Sequence, residues 1–336
     1  MPRRAVVAAI VSAIVVVALA VVSLGVGDYP IASDRIVLTL LGGGDAQETL
    51  VVTRLRLPRL LLGLLVGAML GVSGAIVQTT ARNGLASPDL LGVTGGASAG
   101  AVAVIVLGGA TGFSSLLHGV GTTAAALAGG LAAGATVAVV LRATRGGRLQ
   151  TVLIGVGVSA LFSGLTSWMI VEASIDDAER ASAWLMGSLG GRGIEEVRLA
   201  ACALAFVVVI LVPLSARLSA LHLGEDAAAS LGHRVPRIRA GLLLSAVVLA
   251  SIAAAVAGPI GFVALVAPHL ARLASRASRA PLAVSALVGA ALVTGSDVVA
   301  RVVAAPLILP TGAVSAIVGA PFLIWLLIRE RKGVGS

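Results

Sequence analysis

The sequence predicts an all-α fold, a polytopic membrane helix bundle with about ten transmembrane helices, and three observations carry that prediction. Hydrophobic residues make up 58% of the 336-residue chain and charged residues 12%, with a mean hydropathy of +1.07; soluble domains carry roughly 25% charge. The run from Leu60 to Val77 holds no charge. It is long enough to cross the ~30 Å hydrocarbon core as a helix, which satisfies its own backbone there. Arginine then recurs in the short polar gaps between such runs. The chain reads as a single domain, residues 1–336, divided by its helix repeat rather than into globular units.

The apolar runs fall at 5–26, 59–79, 92–109, 119–141, 152–171, 199–214, 240–257, 260–272, 281–300 and 311–328. The first follows Met1-Pro2-Arg3-Arg4, and with Ala18-Leu19-Ala20 it resembles a signal peptide. Its apolar stretch continues to Val26, beyond the length of a signal peptide's apolar region, so we take it as a retained span. In the second, Gly63, Gly67 and Gly71 recur every fourth residue, baring one face for close approach by another helix. The fifth is small or hydroxylic at every turn, with Gly155, Gly157, Ser159, Ser163, Gly164 and Ser167. The sixth holds the lone Cys202, expected to pack in the core; one cysteine makes neither a disulfide framework nor a metal cluster. Gly258, Pro259 and Gly261 interrupt the eighth, which is expected to be short or partly re-entrant and therefore buried among its neighbours. In the ninth, Asp297 and Arg301 lie four apart on one face, where they are expected to pair near the surface, with a gating role as the alternative. Trp184 and Trp325 are expected at interfaces, and Trp168 facing the bundle.

With the N-terminus inside, sixteen of the 24 basic residues fall in inner segments and eleven of the 15 acids in outer ones. That asymmetry places both termini in the cytoplasm. The net charge of +9 then reflects positive-inside topology, because the arginines lie in short loops and not in one stripe, and nucleic-acid binding is excluded.

Arg56-Leu57-Pro58-Arg59 opening the second run, and Arg82-Asn83-Gly84-Leu85-Ala86 closing it, resemble the FecCD family. Ala257-Gly258-Pro259-Ile260-Gly261-Phe262 leading to Pro268-His269-Leu270, and Gly319-Ala320-Pro321-Phe322, extend the match in the family's order from about Arg54 to Arg329. Gly84 departs from it, standing where the family usually has proline; glycine leaves that turn less rigid. The resemblance implies a type II ABC importer permease of the bacterial cytoplasmic (inner) membrane. Its cargo would be a ferric siderophore, haem or cobalamin. Its partners would be a second permease copy or paralogue, two ATPase subunits holding ATP and magnesium, and an extracytoplasmic substrate-binding protein, with no cofactor on this chain.

The resemblance also implies roles for particular residues. Arg56, Arg59 and Arg301 match positions that dock the binding protein through its glutamates, a task suited to arginine's planar fork; from the residues alone, interfacial anchoring is the alternative. In the inner loop of about 215–239, Gly224, Glu225, Asp226, Ser230, Leu231 and Gly232 match a coupling helix seated in the ATPase. Acids leading an Ala-rich segment also suit a capped connector. Asn83 and Leu85 match a cytoplasmic gate. The resemblance places the fifth span, with Ser159, Ser163 and Ser167, and the tenth along the translocation path, although small residues equally serve packing. His269 reads as a bonded helix terminus and not as a metal ligand.

The single lysine, Lys332, stands in the tail, so no Gly-x-x-x-x-Gly-Lys-Ser/Thr loop can be written and ATP hydrolysis is expected in a partner. No His-Glu-x-x-His zinc motif or Gly-x-Ser-x-Gly elbow occurs, which argues against a membrane enzyme. The rival function is an ion-coupled secondary carrier without an ATPase. Such carriers place isolated ionisable groups in mid-membrane, and here Glu172 and Asp297 sit near span ends.

Overall fold

A computed structural model of the protein describes residues 3–27, 29–111, 120–144, 148–221, 235–277, 280–304, 307 and 309–334. Among them all regular structure is helical: α1 (Arg3–Gly25), α2 (Ser33–Leu40), α3 (Ala46–Thr49), a π-helical segment (Leu50–Arg56), α4 (Leu57–Ala81), a 3-10 turn (Pro88–Leu91), α5 (Val93–Thr111), α6 (Val120–Thr144), α7 (Arg148–Glu172), α8 (Ile175–Leu185), α9 (Ile194–Leu221), α10 (Val235–Ala257), α11 (Val263–Ser275), α12 (Leu282–Val302) and α13 (Thr311–Val334). Each expected span coincides with one helix, long in every case but the eighth. Six stretches satisfy length and hydropathy for crossing a membrane outright, and Val93–Gly108, Val263–Ser275 and Thr311–Leu326 are shorter apolar helices. With α9 the bundle has roughly ten membrane helices.

The bundle is built around α4, which is enclosed by α9, α10, α11 and α12. Its glycine face explains the closest of these contacts. A Cβ on Gly67 would sit 2.6 Å from the Cα of Ala290, and one on Gly289 would sit 3.0 Å from the carbonyl carbon of Gly67. Backbone therefore meets backbone along the α4–α12 seam, with dispersion contacts replacing a hydrophobic driving force that lipid does not supply. Gly71 continues the seam, its absent Cβ 2.8 Å from the carbonyl carbon of Ser285. The pair α5–α6 packs the same way and joins the rest through α10.

α11 has 13 residues and covers only ~20 Å, too short to span alone. The preceding Gly258–Phe262 connection completes the crossing, and its backbone is enclosed as the bilayer requires. Ser188 N–H donates to Ala257 O at 2.8 Å and Gly312 N–H to Gly187 O at 3.0 Å. These bonds tie the connection's flank to the loop after α8 and to the first turn of α13. Gly187 has φ of +67° and faces Pro259, a position where a side chain has neither the conformation nor the room.

Two expectations fail here. Cys202 is exposed on α9 beside Phe206 and Val209, on an apolar face without protein cover, so it is not a core residue. Trp168 is 61% exposed and points away from the bundle, because α7 packs through Gly155, Thr166 and Met169. Trp184 instead turns partly inward, against Ala97, Ala101 and Ala126.

Candidate functional site

At the end of the bundle where α1 terminates, four helices meet in a polar hub. Its geometry begins with Pro58, which has no N–H and cannot bond to the carbonyl four residues back. The chain accommodates it with the π-helical segment, in which Leu57 N–H reaches the carbonyl of Val52. That segment turns Arg56 inward, leaving it 7% exposed. Arg56 Nη1 donates to Leu24 O at 2.7 Å, and Nη2 donates to Tyr29 O. Arg301, from α12, donates to Ser23 O at 3.0 Å, Val26 O at 2.8 Å and Ser23 Oγ at 2.7 Å. The last carbonyls of a helix lack intrahelical partners and carry its negative pole, so two guanidinium groups are well placed to cap α1.

Asp297 lies beneath them, 1% exposed. Its carboxylate accepts from Arg59 Nε at 3.0 Å and Nη2 at 2.9 Å, and from Thr311 Oγ1 at 3.1 Å. The expected Asp297–Arg301 pair is present, with Arg301 Nε 3.1 Å from Oδ2. One carboxylate thus joins α4, α12 and α13, and through Arg301 also α1. Sequence reasoning missed Arg59 and Thr311 as its partners. Charge accounting could have found Arg59, since a carboxylate this near a span end needs a countercharge; nothing in the sequence singled out Thr311.

The three arginines expected on an open docking face are therefore occupied within the bundle in this conformation. Arg56 is buried, and the side chains of Arg59 and Arg301 are 15% and 9% exposed. The end of α1 lies mainly against α12, where its carbonyls take up Arg56 and Arg301, while Asp297 takes up Arg59. The arginines complete the helix end and the hub together.

At the opposite end, α4 stops at Arg82 in the left-handed region, and the loop beyond it packs on α11 and α7. Asn83 Oδ1 accepts from Leu85 N–H at 2.9 Å, closing a tight side-chain turn. Asn83 is exposed and Leu85 half-buried. Gly84 lies against His269, where a Cβ would come 3.2 Å from Cε1. His269 is 2% exposed, with Nε2 2.8 Å from Arg272 Nη2 and its ring edge-on to Phe322 at 6.5 Å. The Pro268-His269-Leu270 and Gly319–Phe322 motifs thus meet in space. Ser159 is half-buried and donates to Asp89 O at 3.3 Å, so it secures the loop, whereas Ser163 and Ser167 are exposed on α7. Gly224, Glu225, Asp226, Ser230, Leu231 and Gly232 lie outside the described residues. Among the described residues no group of three or more His, Cys, Asp or Glu gathers as a metal site.

Asp89 lies in the 3-10 turn at this end of the bundle. Burial pushes its carboxyl above the usual carboxylate range, and hydrogen bonds from Thr94 and Ser87 oppose this without cancelling it. A raised folded-state value favours the fold below the unfolded value, and that contribution is lost as pH rises through the folded value. Asp89→Asn is accordingly expected to gain thermal stability relative to wild type as pH is raised from the acid side towards neutrality. Melting curves of both proteins across that range check it; a constant difference would contradict the assignment.

These features define a multi-pass membrane protein of the permease type, built as a bundle of apolar helices. The chain belongs to the FecCD transport family, whose sequence model matches residues 14–329. It is 36% identical over 310 residues to the ferric enterobactin transport system permease protein FepG of Escherichia coli, covering 91% of each chain. The achromobactin transport system permease protein CbrC of Dickeya dadantii is 38% identical over 322 residues, covering 95% of this chain and 90% of that one. Among solved structures, an inward-facing metal-chelate type ABC transporter superposes with a TM-score of 0.83 at 30% identity, covering 96% of this chain and 98% of the other.

Proposed function

We propose that this chain is the transmembrane permease subunit of a binding-protein-dependent ABC importer that carries a ferric siderophore complex into the cytoplasm. The observation that carries the proposal is near-full-length similarity to permeases named for iron complexes, ferric enterobactin and Fe(3+) dicitrate among them. A cobalamin import permease of Halobacterium salinarum is also 35% identical over 264 residues, so cobalamin, like haem, is an alternative cargo. The chain sits in the bacterial inner membrane with both termini in the cytoplasm, which puts the hub outside. Two ATPase subunits supply the energy, and a second permease, identical or paralogous, completes the pore.

The mechanism is alternating access, in which helix bundles rock about a central path. The open face of α7, with Gly157, Ser163, Gly164 and Ser167, lines that path together with α13. Nothing lies within 4 Å of a Cβ built on Gly157 or Gly164, as suits a face met by cargo or by the second permease. The loop carrying Asn83 and Leu85 forms the cytoplasmic gate. The binding protein docks at the hub end, where its carboxylates compete with Asp297 for Arg59 and Arg301, while Arg56 holds α1 in place.

Uptake tests the cargo directly. Cells lacking their own permease and supplied with this one are expected to accumulate one of ferric siderophore, haem or cobalamin, and no accumulation of any would contradict the proposal. Coupling is tested by Gly232→Trp in the inner loop. The variant is expected at normal abundance, with ATP hydrolysis retained and transport abolished; wild-type transport would remove the loop from the mechanism.

A further inference from the structure

The hub contains a connection that docking alone does not need. Thr311 is fully buried, and its hydroxyl donates into the carboxylate that also holds Arg59 and Arg301. Thr311 opens α13, the helix proposed above to line the path. The same first turn is fastened twice more, by Gly312 N–H to Gly187 O at 3.0 Å and by Ser315 Oγ to Gly261 O at 3.2 Å. Those two bonds run to loops. Only the bond through Asp297 runs to arginines near the outer surface.

We propose that Asp297 is a positioning residue that passes a load on the outer arginines to the first turn of α13, so that arrival of an anionic protein surface at the hub loosens the start of the path helix. A carboxylate offers about four lone-pair sites. Those of Asp297 are filled by Arg59, Arg301 and Thr311. A partner carboxylate that draws either arginine outward leaves a buried charge under-compensated, which is unfavourable enough to force Asp297 to shift or to re-pair. Thr311, bonded to Oδ1, shifts with it. Arg301 also grips Ser23 and Val26, so the same event slackens the end of α1. The inference rests on docking of the binding protein at the hub.

The experiment uses the complete transporter in lipid nanodiscs with its binding protein added. Docking affinity is measured alongside hydrogen exchange of the backbone amides at 311–316. In wild type, docking is expected to speed exchange in that window several-fold. Thr311→Val removes only the link to α13, and docking is expected to survive while exchange is fast beforehand and no longer responds; Thr311→Ser restores the response. Asp297→Asn releases the arginines without removing the side chain and is expected to tighten docking several-fold, whereas a purely structural aspartate would weaken it. A Thr311→Val protein that docks and responds like wild type, or an Asp297→Asn protein that docks more weakly, overturns the joint and leaves docking intact. Failure of the wild-type complex to bind at all overturns docking and the joint with it.

Discussion

Gly67→Leu is expected to leave no folded permease. The missing Cβ would already sit 2.6 Å from the Cα of Ala290, and the neighbouring atoms are backbone of a helix that cannot step aside. Overpacking by added methylenes costs about 1–3 kcal/mol where side chains can rearrange. Here α4 and α12 would have to separate along the whole seam through Gly71 and Ser285, so the loss exceeds that range. Gel filtration of detergent-solubilised membranes should show the monodisperse peak of wild type and none for the variant. Gly157→Leu is the matched control, since nothing lies within 4 Å of its Cβ position. It is expected to fold as wild type while losing transport, because its side chain enters the proposed path. A normal peak for Gly67→Leu would mean that the α4–α12 contact is not as close as described.

Asp297→Ala is expected to destabilise by about 3–5 kcal/mol, the usual result of removing one partner from a buried ion pair. Arg59 and Arg301 are both left without their carboxylate, and their side chains are only 15% and 9% exposed. Thr311→Val, which removes one neutral donor, is expected to cost about 1 kcal/mol. Melting temperatures in the same detergent should therefore fall well below wild type for Asp297→Ala and only slightly for Thr311→Val. Equal small losses would mean that solvent or lipid headgroups satisfy the arginines and that the hub carries little of the fold's stability.

The spans were legible because membrane helices are written in run length, and each expected run became a helix. The glycine ladder at 63, 67 and 71 likewise announced a close contact, although only the structure named α12 as its partner. Two short caps could have been read and were not. Asp45 and Glu48 form a capping box that starts α3, and Ser174 caps α8 through Asp177 N–H. The hub was only half legible. Arg301 stands one helical turn after Asp297, so local spacing revealed that pair. Arg59 is 238 residues from Asp297, and no local pattern encodes such a contact. The same arginines read from sequence as outward charge, and sequence does not show the helix end and the carboxylate that they bond in this conformation. Cys202 and Trp168 were misplaced for a related reason. In a bilayer the outer face of a helix is as apolar as its inner face, so hydrophobic character no longer tells core from periphery.

This permease is proposed to move cargo on energy supplied by a separate ATPase. The most direct test is uptake of ferric siderophore by cells carrying the complete transporter, compared with cells whose ATPase is catalytically dead and with cells treated with an uncoupler. Uptake that disappears with the dead ATPase and persists after the membrane potential is collapsed, at maintained ATP, is the predicted result. Uptake that survives the dead ATPase but collapses with the uncoupler would make the protein an ion-coupled carrier and contradict the account.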